Sequence, residues 1–245
     1  MRVGQKKGLF ITGTDTGVGK TLIGSAIAHI LHTKGLRVGV FKPIATGCRV
    51  ERGKLISDDA VFLAKHADCQ LPLTIINPIS YITPAAPIVC SKVENRRVDY
   101  SRIEDAYLQL CETCDFVIVE GIGGLRVPIS TNVDVLEMAD QFKLPVVVVA
   151  RPNLGTINHT LMTVDLIRLN RLPFAGVVIN GMKLDADIAE KTAPEVISDV
   201  GHVDILSIVP LDAGSSVETG ELGIETIKAL SPCDWENIAS SVYRE

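Results

Sequence analysis

Between an apolar run, Gly8-Leu9-Phe10-Ile11-Thr12, and a helix-forming stretch lies Gly13-Thr14-Asp15-Thr16-Gly17-Val18-Gly19-Lys20-Thr21. A strand that passes through such a loop into a helix lets backbone N–H groups converge on phosphate oxygens at the helix N-terminus. Lys20 is placed to reach the outer phosphates of a nucleoside triphosphate, and the Thr21 hydroxyl to sit on magnesium. The spacing departs from the common pattern. Gly13 and Gly19 enclose five residues instead of four, and Thr14 stands at the usual first glycine. A turn that used glycine only for its backbone angles would not need Lys-Thr behind a hydrophobic strand, so the combination points to phosphate binding.

The rest of the chain repeats the strand-to-helix alternation. Leu9–Thr12, Arg37–Phe41, Asp115–Glu120, Val146–Ala150, Phe174–Asn180 and His202–Val209 read as strands, several of them apolar on both faces. Leu22, Ile23, Ala26, Ile27, Ile30 and Leu31 recur at three and four, which predicts a helix over Lys20–Thr33. Further helices are expected at Asp58–Ala67 (Ser57 as N-cap), Tyr100–Cys114, Val133–Phe142, Ile157–Asn170 and Ala186–Val200. The tail from Leu222 to Tyr243 is expected to be mostly helical, and the proline-punctuated stretch from Leu71 to Pro87 reads as loop. This predicts an α/β fold: a mostly parallel β-sheet covered by helices on both faces, like that of the P-loop NTPases. No linker or composition break divides residues 1–245, so one domain is expected.

Composition narrows the function classes. With a net charge of −5 and scattered basic residues, the chain has no electrostatic footprint for nucleic acid. No apolar run is long enough for a bilayer, and Met1–Lys7 does not read as a signal peptide; a cytoplasmic protein is expected. Cys111-Glu112-Thr113-Cys114 has metal-ligand spacing but no second pair to complete a tetrahedral site, so the six cysteines read as reduced structural thiols.

In a parallel sheet with right-handed crossovers, every strand's carboxyl end lies on one edge, where ligands bind. Lys42, Glu120, Asn180 and the Pro210-Leu211-Asp212 turn all follow strands and are expected there. Glu120 is placed like an acid that holds magnesium directly or through water. Lys42 would face Lys20 across a transferred phosphoryl group. Asp58-Asp59 suits either a helix cap or a further metal carboxylate.

These segments resemble the dethiobiotin synthetase family. The resemblance rests on Gly13–Thr21, Phe41-Lys42-Pro43-Ile44-Ala45-Thr46-Gly47, Ser57-Asp58-Asp59-Ala60, Asn77-Pro78 with Pro84 and Pro87, Val119-Glu120-Gly121-Ile122-Gly123-Gly124, Leu154–His159 and Ile179-Asn180, in the family's order over residues 8 to 212. It implies an ATP- and Mg²⁺-dependent ligase that closes a cyclic urea on 7,8-diaminopelargonic acid with CO₂, in biotin biosynthesis, through a carbamate and a carbamic–phosphoric anhydride. Carried over by position, Lys42 and Lys20 would be catalytic. Gly17, Val18, Gly19, Lys20, Thr21 and Leu22 would cradle the phosphates, with Gly121, Ile122 and Gly123 beside them. Thr21, Asp59 and Glu120 would hold the metal. Asn180 and Gly181, with Pro210, Leu211 and Asp212, would lie along the adenine. Thr16 and Thr46 would contact the diamine and carbamate. The family is a homodimer, so Asn158 would act on substrate from the partner chain through the Gly155–Asn158 segment.

A partition or septum-positioning ATPase is the rival of a different class. Such switches carry a lysine at the loop position of Asp15 and favour an amphipathic tail or a basic surface, none of which is evident here.

Overall fold

The computed structural model describes residues 6–241; residues 1–5, which carry most of the leader reading, and the expected helical residues up to Tyr243 beyond 241 lie outside them. Six strands form one parallel sheet: β1 (Gly8–Gly13), β2 (Val38–Phe41), β3 (Phe116–Glu120), β4 (Val146–Ala150), β5 (Phe174–Met182) and β6 (Ile205–Pro210). Their spatial order is β6-β5-β4-β1-β3-β2. Phe10 of β1 pairs with Val146 on one side and Val119 on the other, which sets the loop-bearing strand in the middle of the sheet.

The helices are α1 (Lys20–Thr33), α2 (Asp58–His66), α3 (Leu73–Ile76), α4 (Pro87–Val93), α5 (Tyr100–Thr113), α6 (Val135–Phe142), α7 (Thr156–Leu169), α8 (Ile188–Gly201), α9 (Ile224–Leu230) and α10 (Trp235–Ser241). The period-two alternation of strand side chains divides the core into two layers. Leu9 and Ile11 of β1 join Ile23, Ile27 and Leu31 of α1, Leu63 of α2 and Trp235 of α10 on one face. Phe10 joins Tyr107 of α5, Phe142 of α6, Val164 of α7 and Ile197 of α8 on the other. Phe142 is the hub of an aromatic cluster, its ring centroid 4.8 Å from Tyr107, 6.0 Å from Phe41 and 6.1 Å from Phe10. All four rings are fully or almost fully buried, and truncating one such ring costs about 3–5 kcal/mol.

Three local departures from the sequence reading have clear causes. The helix expected from Val133 begins at Val135 because Asp134 caps it. The Asp134 carboxylate accepts from the Leu136 and Glu137 N–H groups, and the Glu137 carboxylate accepts from the Asp134 N–H at 2.7 Å. The proline-rich stretch is not all loop. It contains α3, and α4 opens on its last residue, Pro87, where a missing N–H costs no helical bond. Arg49–Glu51 and Lys54–Ile56, not expected as strands, form an antiparallel hairpin.

Candidate active site

The phosphate loop follows β1 and ends at Gly19, the N-cap of α1, in the left-handed region at φ +97°. A side chain there would be strained, and its Cβ would lie 2.1 Å from Asn180 Nδ2. Two neighbouring strands brace the loop. From the carboxyl half of β5, Asn180 Nδ2 donates to the Val18 carbonyl at 2.9 Å. From β4, the Val149 carbonyl accepts from the Thr14 N–H at 3.0 Å. Lys20 folds back over the loop, donating to the Asp15 carbonyl at 3.0 Å. Burial lowers the Lys20 pKa to about 8, against the opposing pull of Glu120.

Opposite the loop sits a charge cluster whose lysine and glutamate are buried. Lys42 follows β2, and its Nζ lies 2.5 Å from Glu120 Oε1 and 2.8 Å from Asp59 Oδ2. Glu120 ends β3 and is 1% exposed, so its charge depends on this pairing. The Thr21 hydroxyl donates to the same Glu120 Oε1 at 2.9 Å. Burial alone would lower the Lys42 pKa, but Glu120 and Asp59 together hold it above the ordinary lysine value. Burial raises the Asp59 pKa, but the Lys42 ammonium outweighs it and leaves this carboxyl below its usual range. Glu120 Oε2 is buried with no hydrogen-bond partner.

The adjacent carboxylates of α2 are separated by geometry. Ser57 caps the helix as expected, accepting from the Ala60 N–H at 3.3 Å. Asp58 faces outward to Arg49 at 2.7 Å, while Asp59 lines the cleft.

That cleft has a volume of about 670 Å³ and is walled by Thr16, Gly17, Gly19, Lys20, Thr21, Leu22, Lys42, Thr46, Asp59, Glu120, Ile122 and Gly123, all of them expected at the site. Pro84, Ala85, Ala86, Val127 and Val217 complete it. The Gly121–Gly124 turn presses close to the phosphate loop, a Cβ on Gly124 falling 3.1 Å from the Gly13 carbonyl oxygen. A second cleft of about 640 Å³ adjoins the first, sharing Thr16, Ala86 and Val127 with it and taking His159, Met162, Thr163 and Leu166 from α7.

Several expected residues lie apart from the cleft wall. Asn158 is exposed on α7 and lines neither cleft. Gly181, Pro210 and Leu211 lie beyond Asn180 at the ends of β5 and β6, with the Leu211 N–H bonded to the Met182 carbonyl at 2.8 Å. The Asp212 carboxylate is taken up by its own loop and by the first turn of α9, accepting from the Gly214 and Thr226 N–H groups at 2.9 Å each.

Sequence reasoning missed how Lys42 is held. The buried Asn77 side chain donates to the Lys42 carbonyl at 2.7 Å and to the Ile79 carbonyl at 3.1 Å. The Lys42 N–H donates to the Ile76 carbonyl at 2.7 Å. The Asn77-Pro78 motif therefore fixes the backbone under the lysine, and the segment after it pairs with Ile44–Ala45 before Pro84–Ala86 form the cleft wall. An asparagine between a short apolar run and a proline was the available signal.

A family model described as an AAA domain matches residues 7–219. The ATP-dependent dethiobiotin synthetase BioD of Thermodesulfovibrio yellowstonii is 41% identical over 213 residues, covering 84% of this chain and 89% of that protein. The enzyme of the same name from Bacillus subtilis is 38% identical, covering 87% and 91%. The chain belongs to the dethiobiotin synthetase family. Membership makes it an ATP-dependent ligase with a role in biotin synthesis. Among solved structures, a ParA family ATPase from Chlorobium tepidum matches with a TM-score of 0.58 at 15% identity, covering 95% of this chain and 98% of that one. At that identity the likeness is one of fold, the parallel P-loop NTPase sheet that this dethiobiotin synthetase family member shares.

Proposed function

We propose that this one-domain protein converts 7,8-diaminopelargonic acid, CO₂ and ATP to dethiobiotin, ADP and phosphate. The observation that carries the reading is the buried Lys42–Glu120 pair, joined by the partly exposed Asp59, facing a phosphate loop across one cleft. A switch ATPase needs no second buried cation opposite its loop. A ligase that phosphorylates a carbamate does, because negative charge accumulates on both the carbamate and the transferring phosphoryl group.

The reaction balances in three steps. One amine adds to CO₂, losing a proton and becoming a carbamate. A carbamate oxygen then attacks the γ-phosphorus of ATP and ADP leaves, giving a carbamic–phosphoric anhydride. Finally the second amine attacks the carbonyl carbon, the C–O bond to phosphate breaks, and the cyclic urea closes with loss of a proton.

The chain's residues divide this work. Loop N–H groups from Gly17 to Leu22, with Lys20, hold the phosphates. Lys42, kept charged by its two carboxylates, neutralises the carbamate and the group in transfer. Thr16 and Thr46, whose hydroxyl-bearing residues line the cleft, orient the diamine. Asn180, with Gly181 and the 210–212 turn, lies along the adenine. Thr21, Asp59 and Glu120 would hold Mg²⁺; an all-oxygen donor set with a buried, unpartnered Glu120 Oε2 suits a hard cation. Bound there, the ion would supply charge neutralisation to the triphosphate during transfer.

We also propose a homodimer built on the β4–α7 region. Leu154 is 86% exposed and Met162 63% exposed there, beside Asn158, which in a single chain lies outside both clefts. The unpaired cysteines suit a cytoplasmic setting.

The decisive experiment is incubation with the diamine, oxygen-18 bicarbonate and MgATP. Mass spectrometry should find the cyclic urea, and the released phosphate should carry one labelled oxygen from the carbamate. ATP turnover that ignores the diamine would overturn the reading.

A further inference from the structure

Arg151 immediately follows β4, four positions before Gly155, the N-cap of α7. Its Nη2 donates to Asp15 Oδ2 at 2.8 Å and to the Thr16 carbonyl at 3.3 Å. The other Asp15 oxygen accepts from the Thr16 N–H at 2.6 Å, and the Asp15 carbonyl accepts from Lys20 Nζ. One guanidinium therefore holds the first half of the phosphate loop at both a side chain and a backbone oxygen, and the residue it holds carries Lys20. Asn180 holds the second half at Val18.

Arg151 lines neither cleft. Its bonds go to Asp15 and Thr16, in the first half of the loop. Thr16, which it fixes, lines both clefts. The segment that leaves Arg151 runs within five residues into α7, which walls the second cleft through His159, Met162, Thr163 and Leu166. No packing requirement explains an arginine here, since its side chain is 44% exposed.

We propose that Arg151 is a positioning residue that locks the phosphate loop to the β4–α7 connection. Through Asp15 it sets the aim of Lys20, and through Thr16 it sets the wall shared by the nucleotide cleft and the α7 cleft. Occupancy of one cleft is thereby coupled to the geometry of the other. The turnover arm of this proposal rests on the ligase reading above; the nucleotide-binding arm does not.

The test compares the parent with Arg151→Met, Arg151→Lys, Asp15→Asn and the Arg151→Met/Asp15→Asn pair. An exposed ion pair is worth less than about 1 kcal/mol, so Arg151→Met should weaken ATP binding by only about fivefold by calorimetry. Because Lys20 and Thr16 lose their aim together, turnover per bound ATP should fall further, about tenfold or more. Amide exchange at Thr16–Gly19 should quicken while the melting temperature stays within about 2 °C. Arg151→Lys should recover part of the loss, and the double variant should be no worse than either single one. ATP affinity and loop exchange equal to the parent's in Arg151→Met would overturn the proposal, as would additive losses in the double variant. If the parent makes no cyclic urea, the ligase reading fails while the ATP-binding and exchange measurements still decide the role of Arg151.

Discussion

Replacing Lys42 with methionine separates what the lysine does for the fold from what it does for the reaction. Methionine keeps most of the volume but removes the only ammonium within hydrogen-bonding distance of both Glu120 and Asp59 among the described residues. Glu120 is 1% exposed, so its carboxylate would be left in the interior with only the Thr21 hydroxyl and the more distant Lys20. Breaking a buried pair from one side costs about 3–5 kcal/mol. The low end applies because Asp59 is partly exposed and can be hydrated. For a chain of this size each kcal/mol lowers Tm by about 2–4 °C, so a fall of about 10 °C is expected by calorimetry. Adding Glu120→Gln removes the stranded charge and should restore at least half of that loss. It should not restore turnover, which we expect to be down about a thousandfold in both variants, while the ATP Kd of the Lys42→Met protein stays within about fivefold of the parent's. A Lys42→Met protein melting within 2 °C of the parent, or a double variant no more stable than the single one, would refute the charge-pairing argument.

Three further outcomes are expected. Glu120→Gln alone should raise the magnesium concentration for half-maximal activity about tenfold; a titration that overlays the parent's would remove Glu120 from the metal site. Gly19→Ala should cost about 1–2 kcal/mol of stability by chemical denaturation, because φ is +97° and the new Cβ meets Asn180; an unchanged denaturation midpoint would show that the loop adjusts freely. The Arg37 guanidinium holds the Asp115 carboxyl at about 2, below its unfolded value of 3.8. A carboxyl lowered in this way stabilises the fold above pH 3.8 and loses that contribution as pH falls through 2. Acid unfolding of Asp115→Asn should therefore diverge from the parent's above about pH 4 and converge with it below about pH 2; curves that stay parallel throughout would contradict the pairing.

Much of the fold was legible because its signals are local. The three-and-four spacing from Leu22 to Leu31 and the glycine before Lys20 place α1 between the same residues that the structure does. The all-apolar Val146–Val149 run is a strand buried on both faces, as its composition implies. The Asp134-to-Glu137 box was written in the chain as well, an acid three residues before another, where the sequence reading starts the helix at Val133. The candidate site was legible only in part. Adjacent residues on a helix point about 100° apart, so sequence order cannot say which of Asp58 and Asp59 faces inward; that depends on where Arg49 and Lys42 lie. Asn77 serves a backbone carbonyl 35 residues away, and Arg151 an aspartate 136 residues away. Neither contact leaves a periodic or spaced trace. Pro84–Ala86 reach the cleft because the backbone just before them, from Ile79 to Thr83, pairs with the segment after β2, a tertiary choice with no pattern of its own.

The strand order carries a consequence for which side chains could ever serve at position 42. β2 is an edge strand, and β3 stands between it and the loop-bearing β1. Neighbouring strands lie about 4.8 Å apart, so a group launched from β2 must cross roughly two such spacings, about 10 Å, to meet a phosphate held over β1. A histidine or a short acid launched from there would stop above β3. A long, unbranched cation can make the crossing, and the carboxylate that ends β3 lies directly beneath its path. Glu120 is thus the pier of a bridge whose span is dictated by the sheet, and shortening the lysine by a single methylene would be a test of length at constant charge.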